Sequence, residues 1–364
     1  MHALSRDTDG RVILRATAAC LSFVVLALGD VARGTPAAVD RLTLEQQVGQ
    51  VLVLSFKGTT VPQYVREALA AKRVAGVILF GGNITGQDGL RALTRDLRRA
   101  GGRPLVAVDQ EGGTVRRLTW AGPLAAQPEQ VARGTVHGDA EAAARALRSA
   151  GITVTFAPVA DVPSVRGAAL AGRSFSSDPR VASSAVRDAV RGWRAGGLAA
   201  TAKHFPGLGA APANTDAAIV TIRRSRTALE DVDLPPFRSA IAAGVPLVMV
   251  GHARYPALDR VRIASQSRPI VEGLLRDELG FRGVVVTDSL EAQASLATGS
   301  ITAVSERALR AGADLLLLTG RGSYTPVFEH VLASAKRSPE LRTRVRESAA
   351  RVLALKERGA RPPR

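Results

Sequence analysis

The sequence predicts a single α/β domain folded as a (β/α)8 barrel of the TIM type. Three observations carry that prediction. Eight apolar, β-rich runs alternate along the chain with stretches of helical periodicity. The runs are almost continuously apolar, as in parallel strands covered on both faces. Charged and hydrogen-bonding residues stand directly after the apolar cores, and barrel active sites are assembled at that C-terminal end of the strands.

The chain has 364 residues, and residues 1–38 are set apart from the barrel, which is assigned to 39–364. Arg6, Arg11 and Arg15 precede the apolar run "ATAACLSFVVLALG". At about fourteen residues this run is short for a membrane span and suits the central segment of a signal peptide. The small residues of "GDVARGTPAA" follow and offer a cleavage site. Export to the medium or the cell surface is expected, and an uncleaved signal anchor is the alternative. Cys20 is the only cysteine, so no internal disulfide forms. It opens the apolar run where a lipoprotein site would close it.

The eight runs are "VGQVLVLSFKG", "VAGVILFGG", "PLVAVDQEGG", "ITVTFAPVADV", "LAATAKHFPG", "PLVMVGHARY", "RGVVVTDSL" and "GADLLLLTG". Between them lie "VPQYVREALAAK", "GLRALTRDLRRAGG", "SSAVRDAVRGWRAGG" and "LPPFRSAIAAG", each with apolar residues three or four apart. Several of these end in glycine, as helix C-termini do. The last segment, "RTRVRESAARVLALKER", predicts a final exposed helix. An open doubly wound sheet is the competing architecture. No G-x-G-x-x-G follows the first strand, so its dinucleotide-binding form lacks its fingerprint.

Hydrophobic residues make up 46% of the chain, ample for a core of this size. The net charge of +17 comes mostly from arginine. Such a balance predicts a solvated basic surface or attraction to anionic polymers and headgroups. Nucleic acid is not an expected partner. Aromatics are only 4%, and neither zinc-finger spacing nor an RNA-binding signature accompanies the charge. No His/Cys/Asp/Glu cluster has metal-ligand spacing, and no G-x-S-x-G elbow points to a serine hydrolase.

Asp109, Glu111, Asp161, Lys203, His204, His252 and Asp288 all follow strand cores. Asp288, in "GVVVTDSLEA", points into the barrel mouth or caps the next helix. A carboxylate in that mouth is suited to attack an anomeric carbon or to stabilise a developing cation. "VDQEGGTVRR" brings Asp109, Glu111, Arg116 and Arg117 around a Gly112–Gly113 turn. Carboxylates and guanidinium forks bind vicinal hydroxyls through paired hydrogen bonds, or else pair with one another beneath the loop. Lys203 and His204 are neighbours on one strand, so their side chains take opposite faces unless the strand end is distorted. Arg173 lies on the Gly/Ser-rich loop "AGRSFSSDP", where an arginine by itself reads as surface. His252 fits a ligand-facing or a structural place, and His137 and His330 read as surface residues.

Taken in order, "VDQEGG", "FAPVADV", "RSFSSDP", "KHFPG", "VMVGHARYPALD" and "ELGFRGVVVTDSLEA" resemble glycoside hydrolase family 3. Within it, they are most similar to the single-domain β-N-acetylglucosaminidase (β-hexosaminidase) branch. The resemblance runs from about Leu42 to Leu318. It implies a barrel and a retaining double displacement without metal or organic cofactor. The implied substrate is a glycan or a cell-wall-derived sugar, and membrane contact is expected only through an N-terminal anchor. It also implies that Asp288 is the nucleophile and that Asp109, Arg117, Arg173, Lys203 and His204 hold the sugar next to the scissile bond.

The departures from that pattern fall on one loop. Where the branch carries a second histidine after "KHFPG", this chain has Leu208, and "TDAA" replaces an Asp-Ser-His run whose histidine is the acid/base. With the loop counted as about two residues longer, Asp216 keeps the place of the orienting aspartate and Ala218 that of the acid/base. Thr114 and Ala292 replace an arginine and a methionine common in the branch. Three readings follow. Asp216 is itself the acid, Glu111 serves instead, or the barrel binds glycans without turnover.

Overall fold

The computed structural model describes residues 36–359. The apolar run, Cys20 and the export reading attached to them lie outside those residues. Eight parallel strands follow one another in sheet order: β1 (Leu52–Ser55), β2 (Gly76–Ile78), β3 (Leu105–Val108), β4 (Val154–Thr155), β5 (Thr201–Phe205), β6 (Leu247–Val250), β7 (Val284–Ser289) and β8 (Leu315–Leu318). β8 pairs with β1. Between β4 and β5 the closure is made by bridges Val154–Ala199 and Val159–Lys203, with Thr201 N–H donating to the Ala157 carbonyl at 2.8 Å. The predicted (β/α)8 barrel is the observed fold.

Two apolar layers explain why the strand sequences carry almost no polar alternation. Val53, Leu105, Ala107, Phe156, Met249, Val284, Val286 and Leu317 pack together inside the barrel. Leu52, Leu54, Val106, Val108, Val248 and Val285 pack outward under the helices. Each strand therefore buries both faces. Helices at Gln63–Ala70, Gln87–Gly101, Pro179–Ala195 and Pro235–Ala242 cover the outside, as their periodicity predicts.

Counting two residues at a time along the inner face shows what the barrel presents at its mouth. Beyond Ile78 comes Phe80, beyond Ala107 comes Asp109, beyond Val286 comes Asp288, and beyond Leu317 comes Thr319. The inner layer thus changes from apolar to functional within one residue pair at the C-terminal rim.

The final helix, Pro339–Gly359, corrects the expectation of an exposed one. Leu341, Val345, Ala349, Val352 and Leu355 are buried, and Val352 and Leu355 join the layer inside the barrel. The helix also carries Arg344, Arg351 and Ser348 to a buried carboxylate at the start of β8. Asp314 accepts from these three at 2.5, 3.0 and 3.1 Å, from Arg276 at 2.6 Å, and from the Val285 N–H at 2.9 Å. Burial alone would raise the Asp314 carboxyl, but the Arg276, Arg344 and Arg351 guanidiniums hold it below the usual range.

Asp314→Asn is expected to destabilise the fold by about 3–5 kcal/mol, because it leaves buried cations without their counter-charge. Urea unfolding of the two proteins checks this. Because the folded-state pKa is depressed, the stabilisation is complete above the ordinary carboxylate range. It is lost as pH falls through the folded value, so the variant's deficit shrinks in acid.

Candidate active site

A cavity of about 300 Å³ opens at the C-terminal rim of the barrel. Its lining includes the seven residues that the family resemblance places at the site: Asp109, Arg117, Arg173, Lys203, His204, Asp216 and Asp288. Phe156, Met249, Ile78 and Leu317 floor it from the inner apolar layer. Arg116, from the same turn as Arg117, does not line it and donates to the Leu124 carbonyl at 3.3 Å.

Charge in the cavity is organised around Lys203. Its ammonium lies 2.8 Å from Asp109 and 2.6 Å from Glu111, and only 3% of its side chain is exposed. Arg173 grips Glu111 with two parallel bonds, Nε at 2.8 Å and a terminal nitrogen at 2.7 Å. Its loop position hid this partner, since 62 residues separate the two. Arg117 stands 3.6 Å from Asp109, with its guanidinium 5.8 Å from the centre of the Phe80 ring.

Burial alone would raise both carboxyls. Lys203 and the two arginines instead hold Asp109 below its ordinary range, and Lys203 and Arg173 do the same for Glu111. Burial would likewise lower the Lys203 ammonium, which the two carboxylates hold above its ordinary value. All these groups are therefore charged at neutral pH. They form a rigid donor and acceptor array suited to a polyhydroxylated ligand.

His204 reaches the same cavity as Lys203, so the strict alternation of β5 is broken there. Lys203 pairs with Met249 and Phe205 with the very next residue, Val250, so two steps on β5 meet one on β6. The residue after β6, Gly251, leaves the space. A Cβ there would stand only 3.2 Å from the Cβ of His204. The imidazole is set by Asp161, whose carboxylate lies 2.8 Å from Nδ1 and also accepts from the His204 and Leu208 N–H groups. Since a carboxylate only accepts, Nδ1 carries the proton and Nε2 is the ring nitrogen free for a ligand.

Asp161 is buried and holds both His204 and the loop behind it, a role that sequence reasoning did not assign. Its place in "FAPVADV", beyond a strand core, was the available signal. Asn214 and Thr319 were also missed as lining residues.

Asp288 follows Val284 and Val286 on the inner face of β7, and its carboxylate accepts from the Ser289 N–H at 2.8 Å. His252 does not face the cavity. Its Nε2 lies 2.8 Å from the Ser289 carbonyl and its Nδ1 2.8 Å from the Ser265 hydroxyl. The carbonyl accepts, so Nε2 donates and Nδ1 accepts. Burial lowers the imidazole's pKa despite nearby Asp288, which keeps it neutral. His252 thus takes the structural place and braces the peptide beside Asp288.

The loop after β5 brings Asp216 and Asn214 to the cavity, while Ala217 and Ala218 are exposed outside its lining. The Asn214 amide donates to the Asp216 carboxylate at 2.8 Å. The Gln293 and Ala294 N–H groups bond the Asp216 and Thr215 carbonyls at 3.1 and 3.2 Å, tying this loop to the segment after β7. Ala218, which the resemblance sets at the acid/base position, is an exposed residue of this loop two positions beyond Asp216. Asp216 is the carboxylate of this loop that shares the cavity with Asp288. Among the described residues no group of three His, Cys, Asp or Glu is placed to hold a metal ion.

Comparison with known proteins gives the family. A beta-hexosaminidase of Stenotrophomonas maltophilia is 36% identical over 280 residues, spanning 74% of this chain and 83% of that protein. An uncharacterized secreted glycosyl hydrolase of Arthroderma benhamiae is 31% identical over 93% of this chain and 99% of its own. Among solved structures, the Beutenbergia cavernae beta-N-acetylhexosaminidase superposes with a TM-score of 0.81 at 33% identity, over 87% of this chain and 99% of its own. A family 3 beta-N-acetylglucosaminidase from Paenibacillus gives 0.83 at 34%, over 88% of this chain but 63% of that longer one. The Glycosyl hydrolase family 3 N terminal domain matches residues 43–355, the whole barrel including every strand end that builds the cavity, and the chain belongs to that family.

Proposed function

We propose that the protein is an exported retaining β-glycosidase that removes β-linked N-acetylglucosamine, or a closely related sugar, from cell-wall-derived glycans. The observation that carries this reading is the cavity itself. One compartment, sized for a single sugar ring, holds two carboxylates that have no cationic partner among the described residues, Asp288 and Asp216, beside the charged array of Asp109, Glu111, Arg117, Arg173 and Lys203.

In the first step the Asp288 carboxylate attacks the anomeric carbon. The bond to the leaving oxygen breaks, and that oxygen takes a proton from Asp216. In the second step Asp216 removes a proton from water, whose oxygen attacks the same carbon. The bond to Asp288 then breaks with net retention. Asp109, Glu111, Arg173, Lys203 and His204 Nε2 hold the ring hydroxyls. What supports Asp216 as the acid is that it lines the cavity with Asp288, while Ala218 does not.

Turnover of the dinitrophenyl β-glycosides of N-acetylglucosamine and glucose tests this. These leaving groups need no proton donor, so the assay reads the nucleophile and the sugar preference directly. Turnover with preference for the N-acetyl sugar is expected. A protein that binds N-acetylglucosamine but cleaves neither glycoside is a glycan receptor, and the enzyme reading fails.

A further inference from the structure

The opposite rim of the barrel holds a cavity of its own, of about 440 Å³. It lies where β3, β4 and β5 begin, against the final helix. The same three strands lead, at their other ends, to Asp109, Asp161, Lys203 and His204. Leu105, Ile152, Val154 and Leu355, all buried, give the cavity an apolar floor.

Its rim is basic. Arg98, Arg103, Arg148 and Lys356 line it, and the lining contains no Asp or Glu. Arg98 and Arg148 come from the helices Gln87–Gly101 and Val136–Ser149. Elsewhere on these helices an arginine meets an acid within one turn: Arg91 pairs with Asp88, Arg99 with Asp96 and Arg145 with Glu141. Arg98 and Arg148 have no acid three or four residues away in either direction. Among the described residues the guanidiniums of Arg98, Arg103 and Arg148 make no hydrogen bond or ion pair within the protein. The Lys356 ammonium donates to the side-chain oxygen of Gln50 at 2.6 Å. That partner is neutral, and burial pushes the ammonium down to about 7.

Two glycines make room for the helical guanidiniums at the cavity. A Cβ on Gly151 would stand 2.6 Å from a terminal nitrogen of Arg98, and one on Gly197 would collide with a terminal nitrogen of Arg148. Both glycines have positive φ, 87° and 77°, which other residues rarely adopt. The two arginines thus lie against the chain just before β4 and β5. Like charges gathered around one recess repel. A phosphate monoester offsets that repulsion well, since it brings nearly two negative charges and three acceptor oxygens to guanidinium forks. A carboxylate brings one charge and two oxygens. The cavity is larger than a phosphate group, and its floor suits an apolar body attached to one.

We infer that this end of the barrel is a binding site for a phosphate group carried on a small, partly apolar body, with Arg98, Arg103, Arg148 and Lys356 as its cationic partners. The site lies at the far end of the strands from Asp288 and is independent of that residue's role.

Calorimetric titration of the full chain with phenyl phosphate and with benzoate, at low salt, tests this. Phenyl phosphate is expected to bind about tenfold or more tightly than benzoate, and its affinity falls with added salt. The Arg98→Ala/Arg148→Ala double variant should lose about tenfold or more in affinity for phenyl phosphate. Its thermal unfolding should match wild type, since neither guanidinium is bonded within the protein. Arg103→Ala, on an exposed loop, gives a second reading should the double variant not fold, and it too should weaken phenyl phosphate. Saturating N-acetylglucosamine should leave phenyl phosphate binding unchanged, because the sugar cavity is at the other rim.

The inference is overturned if phenyl phosphate does not bind, binds no better than benzoate, binds the variants as it binds wild type, or is displaced by N-acetylglucosamine. Vesicles of phosphatidylglycerol then give the source of the phosphate. Displacement of phenyl phosphate by the vesicles assigns the site to a lipid headgroup, and no displacement assigns it to a free organic phosphate.

Discussion

Asp288→Asn is expected to lower turnover of dinitrophenyl β-N-acetylglucosaminide on the order of 10⁴-fold or more, as loss of a covalent nucleophile does. The substitution keeps the shape of the side chain, and the Asp288 oxygen that accepts from the Ser289 N–H has an amide oxygen to replace it. The His252 brace on the Ser289 carbonyl is untouched. Folding, read by thermal unfolding, should therefore match wild type, and so should affinity for free N-acetylglucosamine. With so good a leaving group the loss cannot be assigned to missing protonation. Residual activity within tenfold of wild type would remove Asp288 from the reaction and leave the cavity without a nucleophile.

Asp216→Asn is the second large effect, and its signature is a dependence on the leaving group. A positioned general acid contributes roughly 10²–10⁴ in rate. Glycosides with poor leaving groups should lose kcat/KM by that amount. Dinitrophenyl glycosides should keep theirs within a few fold, because their leaving oxygen departs as an anion. With those substrates the second step becomes limiting, since water now lacks its base. An initial burst of dinitrophenolate followed by slow turnover is expected, with azide accelerating the slow phase because it needs no deprotonation. Equal losses on both classes of substrate would show that Asp216 acts by holding the loop and not by moving a proton.

The same loop shows what reading the chain alone leaves open. Register along a loop has no period to count by, so the places given to Asp216 and Ala218 rested on how long the loop was taken to be. In the folded chain the loop's path is set by pairing the Thr215 and Asp216 carbonyls with Gln293 and Ala294, almost 80 residues away, and Asp216 lines the cavity. His204 is a similar case. Alternation would send it away from Lys203, and the shift against β6, with Gly251 in the adjoining row, brings it back. The final helix was expected to be exposed, yet its Arg344 and Arg351 meet Asp314, and its leucine and valine face fills the barrel's other end.

The barrel, by contrast, was legible from local pattern. Strands buried on both faces must be apolar throughout, and period-two counting carries the inner face directly from Ala107 to Asp109 and from Val286 to Asp288. The placement of acids and bases after apolar cores located the site at one rim before any contact was known. What needed the folded chain were the partnerships within that rim. Arg173 with Glu111, Lys203 with Asp109, and Asp161 with His204 join residues 62, 94 and 43 positions apart. Phe56, Phe80 and Tyr324, which line one cavity between the ends of β8, β1 and β2, likewise come from the two ends of the barrel sequence. Side-chain direction in a strand follows from its immediate neighbours, whereas charge pairing and cavity shape depend on which distant segments closure of the barrel brings together.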